Sequence, residues 1–215
     1  MKPFEMYLSL MQTIRGRLDI IDELRGSPAD NFLRAESAAF HARKIVEGIA
    51  FGCLVATENG LKTVPRDAKG QWNAEDIFKS LKRKGLSVFP SPSVIRLPTD
   101  KERLELNVAS VLEGIPERRL TPEELIKIYQ DLHWWLHEAN PYTHASHSEF
   151  YAKRSPKLWT DLTKIQLLVE KHLVVIQGAA FFCVMHDNRD NQTKVIALNK
   201  TEDLPPSWAS SGEAV

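Results

Sequence analysis

Apolar residues recur every three or four positions through most of the chain, then at every second position near its end. The first spacing predicts helices and the second predicts strands. Over residues 4–24, Met6, Leu10, Ile14, Leu18, Ile21 and Leu24 mark one face of an amphipathic helix. Arg25-Gly26-Ser27-Pro28 closes that helix and opens the next. So short a connection favours an antiparallel helical hairpin.

The second helix, residues 28–60, is the element the others are expected to pack around. Ser27 stands as its N-cap, Pro28 at its first position and Asp30 in its first turn, with Asn59-Gly60 at its end. Ala35, Ala38, Ala42, Ile45, Ile49 and Ala56 keep the helical spacing, and Ala39, Val46 and Cys53 widen the face. A helix apolar around most of its circumference is a buried one. Gly48 and Gly52 each cost about 1 kcal/mol of helix propensity against alanine, so close packing or a bend is expected there.

Further on, Asn73 caps a short helix stopped by Gly85, with Trp72 and Ile77 at the two positions of a hydrophobic staple. Its basic end (Lys79, Lys82, Arg83, Lys84) suits the negative end of the helix dipole. Residues 86–97 read as an extended segment placing Val88, Phe89, Val94 and Ile95 on the helices. Pro90 and Pro92 argue against a central strand there. Residues 104–112 fit a short strand or a helix. Thr121-Pro122-Glu123-Glu124 opens a helix to residue 138, and another runs from Ser155-Pro156 to about residue 171. Residues 172–177, 179–186 and 193–199 form strands. The expected class is mainly α (α+β), a helical bundle around a long central helix with a small C-terminal antiparallel β-meander. One domain is expected over residues 1–200, with a weakly ordered tail at 201–215.

The 28 basic and 28 acidic residues balance, which gives no overall attraction to nucleic acid or an anionic membrane. No apolar stretch is long enough to span a bilayer, and no signal peptide is evident at the N-terminus. With Cys53 and Cys183 both in apolar runs, two buried thiols and a cytoplasmic location are expected.

Three groups of residues carry candidate chemistry. Glu36, Arg43 and Glu47 share one side of the central helix. There they form surface ion pairs or a polar pocket, to which His137 and Asn140 could add. His133 and His137, four apart on a helix, could hold one zinc ion with His144 or His147 as a third ligand. A hydrolase would also need an open position and a carboxylate base, and Trp134 stands where the zinc-protease pattern places its glutamate. The ordinary roles of such histidines are capping helix ends and bonding backbone carbonyls, and no cofactor is expected. Nucleotide-binding glycine patterns and the Gly-x-Ser-x-Gly elbow are absent.

The third group is Arg34 and His41, with six residues between them. Their spacing resembles the Arg-x(4–6)-His signature of HEPN nucleases, helical proteins of bacterial toxin and phage-defence systems. The resemblance implies metal-independent RNA cleavage in which His41 acts as general acid or base, Arg34 stabilises the phosphoryl charge, and two copies pair their motifs. The chain as a whole also resembles uncharacterised bacterial helical proteins with an Arg-Lys-Ile/Val-x-Glu segment and a Leu-His-x-x-Asn-Pro turn, here Arg43 to Glu47 and Leu136 to Pro141. The leading expectation is a non-enzymatic domain that binds another macromolecule or self-associates. An RNA-cleaving enzyme and a histidine-ligated metal protein are the alternatives.

Overall fold

The computed structural model describes residues 2–28, 32–61, 70–86, 88–137, 147–176 and 179–199. The first two helices, α1 (Pro3–Gly26) and α2 (Phe32–Leu61), form the expected hairpin. Space at the two helical glycines shows how closely they meet. A Cβ built on Gly48 would stand 3.1 Å from Ile14, and one on Gly52 would stand 3.2 Å from Met11 and 3.3 Å from Tyr7. Later residues of α2 therefore meet earlier ones of α1, so the pair is antiparallel. The helix propensity lost at these glycines is offset by backbone approach, and no bend is needed to explain them.

Around α2 pack α1, α3 (Ala74–Arg83), α5 (Pro122–His133), a 3-10 turn at Trp134–Leu136, α6 (His147–Val169) and strand β3 (Lys171–Ile176). Ala35, Ala38, Ala39, Ala42, Ile45, Val46, Ala50 and Ala56 are fully enclosed, whereas Leu33 and Phe40 lie exposed. The apolar circumference thus buried most of the helix and left one strip open. Ser27 takes a different part from the one expected. It closes α1, its N–H reaching the Leu24 carbonyl, and α2 starts at Phe32; Asp30 lies outside the described residues.

Among the described residues, five strands make one antiparallel sheet in the order β2-β1-β3-β4-β5, with β1 at Ser91–Arg96, β2 at Val111–Gly114, β4 at Ala179–Val184 and β5 at Lys194–Asn199. The expected meander is β3-β4-β5. Contrary to the proline argument, β1 lies inside the sheet, and the stagger explains how. Only Ser91 and Pro92 pair with β3, while Ser93 to Arg96 pair with β2. Pro92 thus sits where pairing with β3 ends, and its carbonyl still accepts the Ile115 N–H at 2.8 Å. The ambiguous stretch resolves into both alternatives in turn, a short helix α4 (Asp100–Leu106) followed by β2.

Strand register separates two faces, because directly paired residues point the same way. Val174, Phe181 and Cys183 lie on the face that joins the helical core, where Tyr7 packs against Phe181 with ring centroids 5.2 Å apart. His172 shares that face. Its Nδ1–H donates to the Val169 carbonyl (2.8 Å), and its Nε2 accepts from the Tyr7 hydroxyl (2.7 Å). Leu173, Phe182 and Ile196 point the other way, joined by Ile95 and Val175.

Further corrections concern helix ends and one staple. Trp72 is 83% exposed, so no staple forms, although Asn73 caps α3 by accepting the Glu75 N–H and Gly85 closes it at positive φ. The Thr121 capping box opens α5 as expected, but the regular helix stops at His133 and tightens into the 3-10 turn. Helix α6 begins before Pro156 and contains it. An internal proline costs about 3 kcal/mol, and the early turns offset this by carrying Phe150 and Tyr151 onto Trp135. Ile95, expected against the helices, is 41% exposed. Both cysteines are buried free thiols.

Candidate functional site

Helices α2 and α5 lie side by side, and their facing polar residues form a half-buried side-chain network. Arg43 and Glu47 are one turn apart on α2, and Tyr129 reaches across from α5. Arg43 Nη2 donates to the Tyr129 hydroxyl at 2.8 Å, and its guanidinium carbon lies 4.1 Å from the ring centroid. The Tyr129 hydroxyl donates in turn to Glu47 Oε1 at 3.2 Å, and Lys44 Nζ donates to Glu47 Oε2 at 2.8 Å. Burial pushes the Tyr129 phenol up to about 12 despite the opposing pull of Arg43. It therefore stays protonated near neutrality and serves as a hydrogen-bonding bridge. Of the expected trio, Arg43 and Glu47 pair, while Glu36 is half-buried and stands outside this network.

Arg34 and His41 share a side of α2 two turns apart, roughly 10 Å along the axis. Each turns to a different neighbour. Arg34 Nη1 donates to the Ser27 carbonyl at 2.6 Å, and its guanidinium lies 5.3 Å from the Trp159 ring centroid. His41 is half-buried against α1, where Arg17 Nη1 stands 3.3 Å from its Nδ1. Arg17 can only donate, so Nδ1 accepts and the imidazole is neutral in this arrangement. Burial, and then the Arg17 charge, lower its pKa.

The two histidines at the end of α5 do converge. His133 Nε2 and His137 Nε2 are 2.7 Å apart, so one ring donates and the other accepts. Burial lowers the His133 pKa, assisted by His137 and Arg43. Asn140 and His144 lie outside the described residues, and the side chain of His147, which opens α6, is likewise outside them. Among the described residues no group of three His, Cys, Asp or Glu side chains gathers in a metal-binding arrangement. His172 is a core residue bonded to Tyr7.

Elsewhere Gln71, Asp76, Lys79, Ser80 and Arg83 line a shallow groove beside α3. Lys79 is held by Glu75 at 2.7 Å, so the basic helix end is partly neutralised within its own helix. Tyr129, Arg17 and Trp159 join these sites only through the fold. A tyrosine hydroxyl on the apolar side of an amphipathic helix was the available signal, since such a group needs a partner when buried.

Among the described residues, no helix is long and apolar enough to cross a membrane. No family model, curated protein or solved structure matches the chain.

Proposed function

We propose that this is a non-catalytic interaction domain whose partner is a protein chain, in the first place a second copy of itself. The observation that carries the reading is that several large apolar side chains on the sheet and just beyond it stand exposed, although Leu173 and Phe182 on the same sheet face are buried. Ile95, Val175 and Ile196 lie on the sheet face turned away from Tyr7, at 41%, 48% and 45% exposure. Leu97, Leu104 and Leu106 follow directly after β1, and α4, which carries the last two, has no buried residue. That helix is held by Arg96, which donates to both Glu102 oxygens at 2.8 Å and also pairs with Glu113. Ion pairs thus fix a segment whose leucines face solvent, an arrangement suited to a partner surface. The polar residues of the α2–α5 network, in contrast, are engaged with one another.

Sedimentation velocity from about 1 to about 100 μM tests this, with a shift from monomer to dimer expected in the micromolar range. A single monomeric species at every concentration would sink it.

A second reading, HEPN-like RNA cleavage, is favoured by the neutral, half-buried state of His41 on the same side of α2 as Arg34. A general base must be unprotonated to act. Hydrolysis of a 2′-hydroxyl-containing RNA that is abolished by His41→Ala, with DNA untouched, would support it. Equal residual activity in wild type and His41→Ala would remove it.

A further inference from the structure

The sheet ends in two very different edges. On one side β2 has four residues, and Glu113 within it is tied to Arg96. Short length and charge are the usual protections of an edge strand against pairing with another chain. On the other side β5 has six residues, Lys194-Val195-Ile196-Ala197-Leu198-Asn199, and among the described residues no strand pairs with it beyond β4. Its only charged side chain is at the first position. Lys194 is already neutralised there by Asp187 (3.2 Å) and Asp190 (2.8 Å) in the preceding turn.

The helical layer reaches only the first part of this strand, where Val195 packs against the core. Ala197 is in register with Phe181 and Val174 and so points to the helix side, yet it is exposed. Ile196, pointing to the opposite face, is 45% exposed. An apolar strand with an exposed side chain on each face, and no partner along its outer edge among the described residues, is a template for strand addition.

We propose that β5 pairs with β5 of a second copy of this chain, antiparallel and about a two-fold axis perpendicular to the sheet. The inference rests on the self-association reading above and names its surface. Such an axis keeps equivalent faces on the same side, so residues meeting across it must both point to that side. Ile196 of one copy then meets Ile196 or Leu198 of the other. Val195 opposes Ala197 in the first register, with Lys194 across from Leu198 at the ends, and Ala197 opposes its own copy in the second. The two Lys194 side chains fall at opposite ends of the seam. The chain's zero formal net charge adds no long-range repulsion between copies. Self-complementarity of this kind favours a second copy over an unrelated strand.

The test uses charge at the axis. Ile196→Lys and Ile196→Glu are each expected to raise the dimer dissociation constant by about 100-fold or more, and an equal mixture of the two is expected to restore dimers. Ile20→Lys, on an exposed position of α1, is the control and should dimerise like wild type. If wild type dimerises and the Ile196 variants do so equally well, the β5 seam is wrong and the self-association reading survives. If wild type is monomeric throughout, both fall. Amide exchange on the wild type asks the same question without a substitution. Residues 194–199 should exchange more slowly at high concentration, and concentration-dependent protection elsewhere with none at β5 would overturn the proposal.

Discussion

His172 provides the sharpest test of how the sheet is joined to the helices. Its ring is fully buried between Tyr7 and the Val169 carbonyl, and burial lowers its pKa from 6.5 to about 4. The unfolded chain therefore takes up a proton on this residue well before the native protein does. Stability from this source is complete above pH 6.5, falls as the pH drops through the window, and levels off below about 4. A gap of about 2.5 pH units at about 1.4 kcal/mol each corresponds to about 3 kcal/mol in full, of which about 2 kcal/mol is lost between pH 7 and pH 5. Urea unfolding of wild type and His172→Gln across that range isolates the term, because other titrating groups contribute alike to both. The wild-type advantage over the variant should shrink by about 2 kcal/mol on acidification. Parallel pH profiles for the two proteins would refute the reasoning. So would a native-state NMR titration in which the His172 ring proton moves with an inflection at its ordinary value. The NMR measurement needs no variant and stands even if His172→Gln fails to fold.

Other expectations follow from packing. Gly16→Ala, where the new methyl would have open space, should stabilise by about 0.5–1 kcal/mol, whereas Gly48→Ala should be neutral to destabilising by about 2 kcal/mol because Ile14 must give way. Equal stabilisation at both positions by chemical denaturation would contradict the close α1–α2 contact. Trp72→Ser should change stability by no more than about 0.5 kcal/mol, since no staple is lost; a larger loss in thermal melts would mean that Trp72 packs. The Cys53 and Cys183 thiols, pushed up to about 12 by burial, should react with an aromatic disulfide reagent only as the protein unfolds. Rapid stoichiometric labelling of native protein would argue against their enclosure.

Much of this architecture was legible because its signals were local or strongly periodic. The apolar circumference of α2, the Thr121 capping box, Asn73 and the β3-β4-β5 alternation all appear where the residues place them. The failures share a cause, which is that tertiary partners decided between options the local sequence left open. Pro92 is excluded from the middle of a fully paired strand, yet it is tolerated where pairing with β3 stops, and no local pattern reports that stagger. Pro156 marks a helix start by its chemistry, but the aromatic residues before it extended the helix by packing on Trp135. Trp72 and Ile77 have staple spacing, and spacing alone does not oblige the tryptophan to fold back.

The candidate sites show the same limit with more consequence for function. Helical spacing put Arg43 beside Glu47 and His133 beside His137, because neighbours one turn apart need no knowledge of the fold. It also put Arg34 on the side of His41, but sharing a side over two turns is not meeting. Arg34 bonds to Ser27 and His41 meets Arg17, and both partners come from the chain preceding α2. A ligand's phosphate approaching Arg34 would meet a guanidinium whose Nη1 edge already donates to the Ser27 carbonyl at 2.6 Å. On β5 no such competitor exists among the described residues: Ile196 and Ala197 present apolar surface on both faces with nothing to break before a second strand arrives. Association there gains apolar burial and backbone hydrogen bonds at little internal cost, whereas Arg34 already commits part of its guanidinium to a contact that helps connect the first two helices.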